Sequence, residues 1–136
     1  MGMTEEERDA LVEMRIAKAY RVYEEAKGVA GLKYWDVVAN RLYYAAFNAV
    51  TALLMANGDT AQTHTGVRHV LGLKFIKAGI LSHETGRLYH RLFSMRQTSD
   101  YDDTYEVSEE DVLPNVEPTG KLIDDIAVMA RRLIAG

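Results

Sequence analysis

The segment from about Lys33 to Ala56 constrains the fold more than any other part of the chain. On a helical wheel its apolar residues cover most of the circumference. A helix that is apolar nearly all round has to be covered by other elements on several sides. The segment therefore predicts the central helix of a helical bundle.

The remaining apolar residues also recur at the helical period, and the alternation typical of β-strands is lacking. Asn57-Gly58-Asp59 is interpreted as a helix stop rather than a hairpin turn, because helical periodicity flanks it. The pattern predicts a first helix from a Thr4–Glu7 capping box to the glycines at 28–31, the second from about Lys33 to Ala56, a third from His64 to Gly79, a fourth from near Ser82, and a fifth from a Ser108–Asp111 capping box.

The last helix carries Pro114 and Pro118 in its first half, which predicts a kink or a break there. A polar loop over 102–107 separates it from the fourth helix. Taken together, residues 1–136 are predicted to form a single all-α domain, an up-and-down bundle of about five helices.

Composition narrows the function. The net charge of −4 and the isoelectric point of about 5.5 argue against a broad basic surface for nucleic acid, although a local basic cleft stays possible. The chain has no cysteine, which removes disulfides, thiolate metal sites and cysteine nucleophiles. No histidine pair has helical metal-ligand spacing, so neither a metal nor a cofactor is predicted. Without a long apolar run or a secretion signal, we expect a cytoplasmic protein with no membrane partner.

Arg96 is the least expected residue of the fourth helix. It lies three residues after Phe93 and four after Leu92, so it continues an apolar face. A buried arginine is costly unless it is paired or lines a cavity. Asp100 follows one helical turn later, with Tyr101 next to it. This spacing predicts either an ion pair or a site.

A polar strip also runs along the central helix. Asn40, Tyr44, Asn48 and Thr51 share one face, and Arg41 borders them. One interpretation is a buried network in which the arginines and their neighbours satisfy one another, which is the commoner arrangement. The other is a cleft whose arginines face an anion such as a phosphate.

His64 opens the third helix. Its ring could cap the helix start or face the polar strip, and capping is the interpretation that the usual role of polar residues at such positions favours.

Three stretches resemble the HEPN domain family in order and spacing: Asn40 to Phe47 (Asn-Arg-Leu-Tyr-Tyr-Ala-Ala-Phe), residues 64–67 (His-Thr-Gly-Val), and Arg96 to Tyr101. More narrowly, they are similar to a prokaryotic subgroup with Asn-Arg-x-Tyr-Tyr-Ala and Arg-x-x-x-Asp-Tyr motifs. The resemblance extends from about Ala17 to Arg132. It implies a helical bundle that forms a homodimer, with the arginines of the two subunits near a shared cleft.

The resemblance also implies a function. Many HEPN proteins are similar to metal-independent RNA-cleaving toxins that a small nucleotidyltransferase antitoxin neutralises. Their motif is an arginine followed, after four to six residues, by a histidine. Here the arginine is Arg96, but the three histidine positions hold Tyr101, Asp102 and Asp103. A tyrosine, with an ordinary pKa near 10, is a poor general base at neutral pH.

Three hypotheses follow. The chain could bind a nucleotide or an RNA phosphate through Asn40, Arg41, Tyr44 and His64, beside a nucleotidyltransferase partner. It could be a non-catalytic helical dimer that acts as an interaction module. It could also be a metal-independent ribonuclease with a rewired catalytic set. That set would be Arg96, Asp100 and Tyr101, and the partner enzyme could adenylylate Tyr101 or Tyr105.

Overall fold

The computed structural model describes residues 2–102, 104 and 106–136. Every regular element in these ranges is helical, which confirms the predicted all-α class. The elements are α1 (Glu5–Ala30), α2 (Trp35–Ala56), α3 (His64–Leu71) with a π-helical turn (Gly72–Ile76), α4 (His83–Tyr101), α5 (Glu109–Val112) with a 3₁₀ turn (Leu113–Asn115), and α6 (Val116–Ala135).

Helix α2 lies at the centre, as its apolar circumference predicted. It packs against α1, α4 and α6, and α1 is its most extensive neighbour. Residues on several of its sides are buried, including Val38, Leu42 and Ala46. Burial on several sides leaves only a narrow strip of α2 for polar chemistry.

Backbone conformation explains where the first two helices end. Thr4 and Glu7 form the predicted reciprocal capping box. Helix α1 runs through Gly28 to Ala30, however, and the left-handed residue after it is Lys33, with a φ of 63°. The predicted stop after α2 is confirmed: Gly58 has a φ of 78°, and the N–H of Asp59 donates to the Leu54 carbonyl at 2.9 Å.

The start of α3 corrects one prediction. Thr63, not His64, is the capping residue, because its extended backbone lets its hydroxyl accept the N–H of Gly66 at 2.9 Å. His64 is already inside the helix, so its ring is free of that role. At the other end, regular α-helix gives way to a π-helical turn at Gly72, and the predicted terminator Gly79 follows with a φ of 78°.

The predicted break in the last helix lies at Pro114, between α5 and α6. Ser108 caps α5 by accepting the Asp111 N–H at 3.3 Å, Pro114 lies in the 3₁₀ turn, and Pro118 occupies the first turn of α6. A proline in a first turn removes no helical hydrogen bond. Within the described ranges, no helix is both long and apolar enough to cross a bilayer.

Candidate functional site

Arg96 lies near the end of α4, with its side chain only 13% exposed. Its Nε is 2.9 Å from a carboxylate oxygen of Asp100, so the ion pair predicted from the spacing of four residues is present. One of its terminal nitrogens donates to the Tyr44 hydroxyl of α2 at 3.0 Å. Arg96 thus joins α4 to the polar strip of α2.

Three aromatic rings surround the same guanidinium. Its central carbon lies 5.6 Å from the ring centre of Tyr43, 5.4 Å from that of Tyr44 and 5.8 Å from that of Tyr101. Cation–π attraction at these distances adds to the ion pair. The positive group of Arg96 is therefore held in place before any ligand arrives.

Arg41 meets Arg96 at a shared ring. The Arg41 guanidinium carbon lies 5.6 Å from the centre of the Tyr44 ring. Arg41 donates to the side-chain oxygen of Asn40 at 2.8 and 3.1 Å, and it pairs with Glu25 of α1 at 3.5 Å. The structure thus brings Asn40, Arg41, Tyr44 and Arg96 together. We call this group the arginine cleft.

His64 faces this cleft from α3. Its Nδ1 lies 2.7 Å from the Tyr43 hydroxyl, and its ring centre is 4.6 Å from that of Phe47 and 5.9 Å from that of Tyr44. Burial, helped by the positive charge of Arg96, lowers the pKa of His64 below its ordinary value. The imidazole is therefore mainly neutral at pH 7.

Behind His64 the aromatic residues continue into the core. Tyr43 and Tyr89 are both fully buried, with ring centres 6.0 Å apart. Burial raises the pKa of each hydroxyl, so both stay as neutral phenols. The buried Tyr43 side chain therefore forms a wall on one side of His64.

The far half of the polar strip does not belong to the arginine cleft. Asn48 is buried and donates to the Tyr44 backbone carbonyl at 2.8 Å, which satisfies it within its own helix. Thr51 likewise donates to the Asn48 carbonyl at 3.0 Å, and it accepts from Arg15 of α1 at 3.5 Å. The two ends of the polar strip therefore have different partners, and sequence reasoning missed Arg15.

The segment after Arg96 points outward. Tyr101 is 74% exposed, although its ring still lies near the Arg96 guanidinium. Asp102 accepts from the backbone and hydroxyl of Thr104 at 3.0 and 2.7 Å. Asp103 and Tyr105 lie outside the described residues, so the third histidine position and the second proposed acceptor are not placed.

Chemically, the cleft combines two cations with a neutral imidazole. Both arginines are paired, but their carboxylate partners are the more exposed members: Asp100 is 34% exposed and Glu25 is 49% exposed. An anion can replace an exposed carboxylate at modest cost, since such pairs contribute little. The geometry suits an anionic ligand that also carries an acidic proton close to the neutral imidazole of His64.

The HEPN domain model matches residues 12–128, which include the whole arginine cleft and His64. Three curated proteins are also similar. A "UPF0332 protein" of Thermotoga maritima is 32% identical over 120 residues, covering 88% of this chain and 91% of its own. "Putative toxin MJ0142" of Methanocaldococcus jannaschii is 31% identical over 74% of this chain and 68% of its own. A "UPF0332 protein" of Archaeoglobus fulgidus is 29% identical over 73% of this chain and 78% of its own.

Proposed function

This chain belongs to the HEPN domain family, and from that premise we propose that it binds a nucleotide or an RNA phosphate in the arginine cleft. We place it in the cytoplasm as a homodimer, the toxin-like member of a pair with a small nucleotidyltransferase. The toxin name of the Methanocaldococcus relative supports that context.

The observation that carries the proposal is the sharing of Tyr44 by two guanidinium groups from different helices. Arg41 and Arg96 approach one ring at 5.6 and 5.4 Å, so two cations from different helices are available to a phosphate and its neighbouring groups beside Tyr44. Arginine forks match the oxygens of a phosphate better than a lysine would. The phosphate would take the place of the exposed Asp100 carboxylate.

A short single-stranded RNA with a 5′-phosphate tests this by fluorescence anisotropy. A charged hydrogen bond contributes about 1.5–3 kcal/mol, so Arg96→Gln should weaken binding by at least about tenfold, and Arg41→Gln should also weaken it. Arg21→Gln on the exposed face of α1 is the matched control and should leave the affinity unchanged. Equal affinities for wild type and Arg96→Gln would refute the proposal and favour the non-catalytic interaction module.

RNA cleavage is a second candidate function, and His64 is the observation that favours it. The rewired set of Arg96, Asp100 and Tyr101 needs a base, and a neutral imidazole beside Arg96 is a better base than a phenol. His64 would take the proton of a ribose 2′-hydroxyl while that oxygen bonds to phosphorus. The 5′-oxygen would leave with a proton returned by the imidazolium, giving a 2′,3′-cyclic phosphate.

The cleavage test uses the same RNA in EDTA. Wild type should cleave it, while Arg96→Gln and His64→Gln should not. If wild type leaves the RNA intact, ribonuclease activity is refuted, and phosphate binding is judged separately by anisotropy. The exposed Tyr101 hydroxyl stays a proposed adenylylation acceptor, which mass spectrometry after incubation with the partner enzyme and ATP would test.

A further inference from the structure

Two further arginines line a cavity between the first half of α1, the last half of α2 and the loop after α2, and this cavity meets the surroundings of His64 at Phe47. The cavity is open and has a volume of about 530 Å³. Its lining includes Arg8 and Arg15 from α1, and Phe47, Thr51 and Met55 from α2. Small-molecule sites in proteins have volumes of about 300–1,000 Å³, so the cavity is large enough for an organic ligand.

Arg15 is the residue of this cavity that most needs a partner. One terminal nitrogen reaches the Thr51 hydroxyl at 3.5 Å, a weak contact. Its Nε is shielded from solvent and donates to no acceptor in the described chain. Across those same ranges, no carboxylate pairs with Arg15. A shielded donor without an acceptor is costly, because it has lost its water and gained nothing in return.

Arg8 lies two helical turns before Arg15, on the same face of α1. It pairs with Asp9 at 3.3 Å and Glu5 at 3.8 Å on its own helix, but its Nε is also shielded and without an acceptor in the described ranges. The acidic residue of the cavity wall, Asp59, is held by Lys74. No local carboxylate is therefore left to neutralise the Arg15 side of the cavity.

We propose that this cavity binds a small organic phosphate. The phosphate group lies against the guanidinium groups of Arg15 and Arg8, which both line the cavity and both keep an Nε without an acceptor in the described ranges. The organic part packs on Phe47 and Met55, which make one side of the cavity apolar. Guanidinium donors from two arginines in one cavity favour a phosphate, with its three terminal oxygens, over a carboxylate. This site does not depend on the function proposed for the arginine cleft.

Phenyl phosphate is the minimal probe, since it joins a phosphate to one flat apolar ring. Isothermal titration calorimetry should show that it binds more tightly than either inorganic phosphate or phenol. Arg15→Gln should weaken binding by at least tenfold, and Arg21→Gln on the same helix should not. Unchanged affinity in Arg15→Gln would overturn the proposal. Loss of binding in Arg96→Gln with retention in Arg15→Gln would also overturn it, by assigning the ligand to the arginine cleft.

A second variant guards against misfolding of the first. Thr51→Asp places a carboxylate at the position that the Arg15 guanidinium already contacts, so the new carboxylate should form an ion pair with Arg15 in place of a ligand. We expect this variant to keep its helical circular dichroism, melt at or above the wild-type temperature and lose phenyl phosphate binding by at least tenfold. A folded Thr51→Asp protein that binds the probe as wild type does would refute the site.

Discussion

Asp100 decides how available Arg96 is to an anion, so Asp100→Asn is the sharpest perturbation of the arginine cleft. In the wild-type protein, an oxygen of the Asp100 carboxylate lies 2.9 Å from the Arg96 Nε. Asparagine keeps the size of the side chain and removes the charge. A ligand phosphate would then meet a less neutralised guanidinium, and repulsion by the carboxylate would disappear.

The two expected effects have opposite signs. Removing the ion pair should cost stability, and a partly exposed pair contributes about 0.2–1 kcal/mol. Binding should gain instead. For a phosphate about 6 Å from the displaced carboxylate, the removed repulsion is about 0.7 kcal/mol at the dielectric constant of water and about 1.4 kcal/mol at half that value. This range corresponds to binding that is about three- to tenfold tighter.

The assay is anisotropy with the 5′-phosphorylated RNA, together with urea unfolding of each variant. Asp102→Asn is the matched control, because it removes the same charge two residues away and leaves the Arg96 pair intact. It should change the affinity by less than twofold. Weaker binding in Asp100→Asn would refute the reasoning, since Asp100 would then position Arg96 for the ligand rather than compete with it.

Two further predictions concern stability. Gly28→Ala should stabilise the fold by about 1 kcal/mol, because alanine has a higher helix propensity than glycine. Gly120→Ala should destabilise the fold by about 1–2 kcal/mol, because its Cβ would lie 2.6 Å from the Tyr23 hydroxyl. Equal shifts of the urea midpoint in the two variants would contradict this prediction. The lowered pKa of His64 means that the unfolded chain binds its proton more readily, so stability should be full above about pH 6.5 and fall below it. His64→Gln should flatten that loss between pH 7.5 and 5.5 in urea titrations, and His69→Gln should retain it.

Local features of this chain were predictable from sequence because their partners are three or four residues apart. The Thr4–Glu7 capping box and the Arg96–Asp100 ion pair both follow from helical spacing alone. The central position of α2 follows from its apolar circumference. In each case the helix itself fixes the geometry, and no knowledge of tertiary packing is needed.

The contacts that the sequence did not reveal join different helices. His64 reaches Tyr43 across 21 positions, and Arg15 reaches Thr51 across 36. Periodicity predicts which face of a helix is buried, but not which residue of a neighbouring helix lies opposite. For that reason the sequence predicts the polar strip itself, but not that its two ends contact different partners.

The division of the site among three helices has a consequence for its chemistry. Helix α4 contributes the Arg96 guanidinium, α2 contributes the aromatic rings that contact it, and α3 contributes the His64 imidazole. In the family's motif of an arginine followed by a histidine, Arg96 of α4 matches the arginine, whereas Tyr101 or Asp102 stands where the histidine is expected. That substitution does not remove imidazole from the neighbourhood of Arg96, since burial and the charge of Arg96 act on His64 from another helix. Whether the cleft can move a proton therefore depends on the packing of α3 against α2, and not on the spacing within α4.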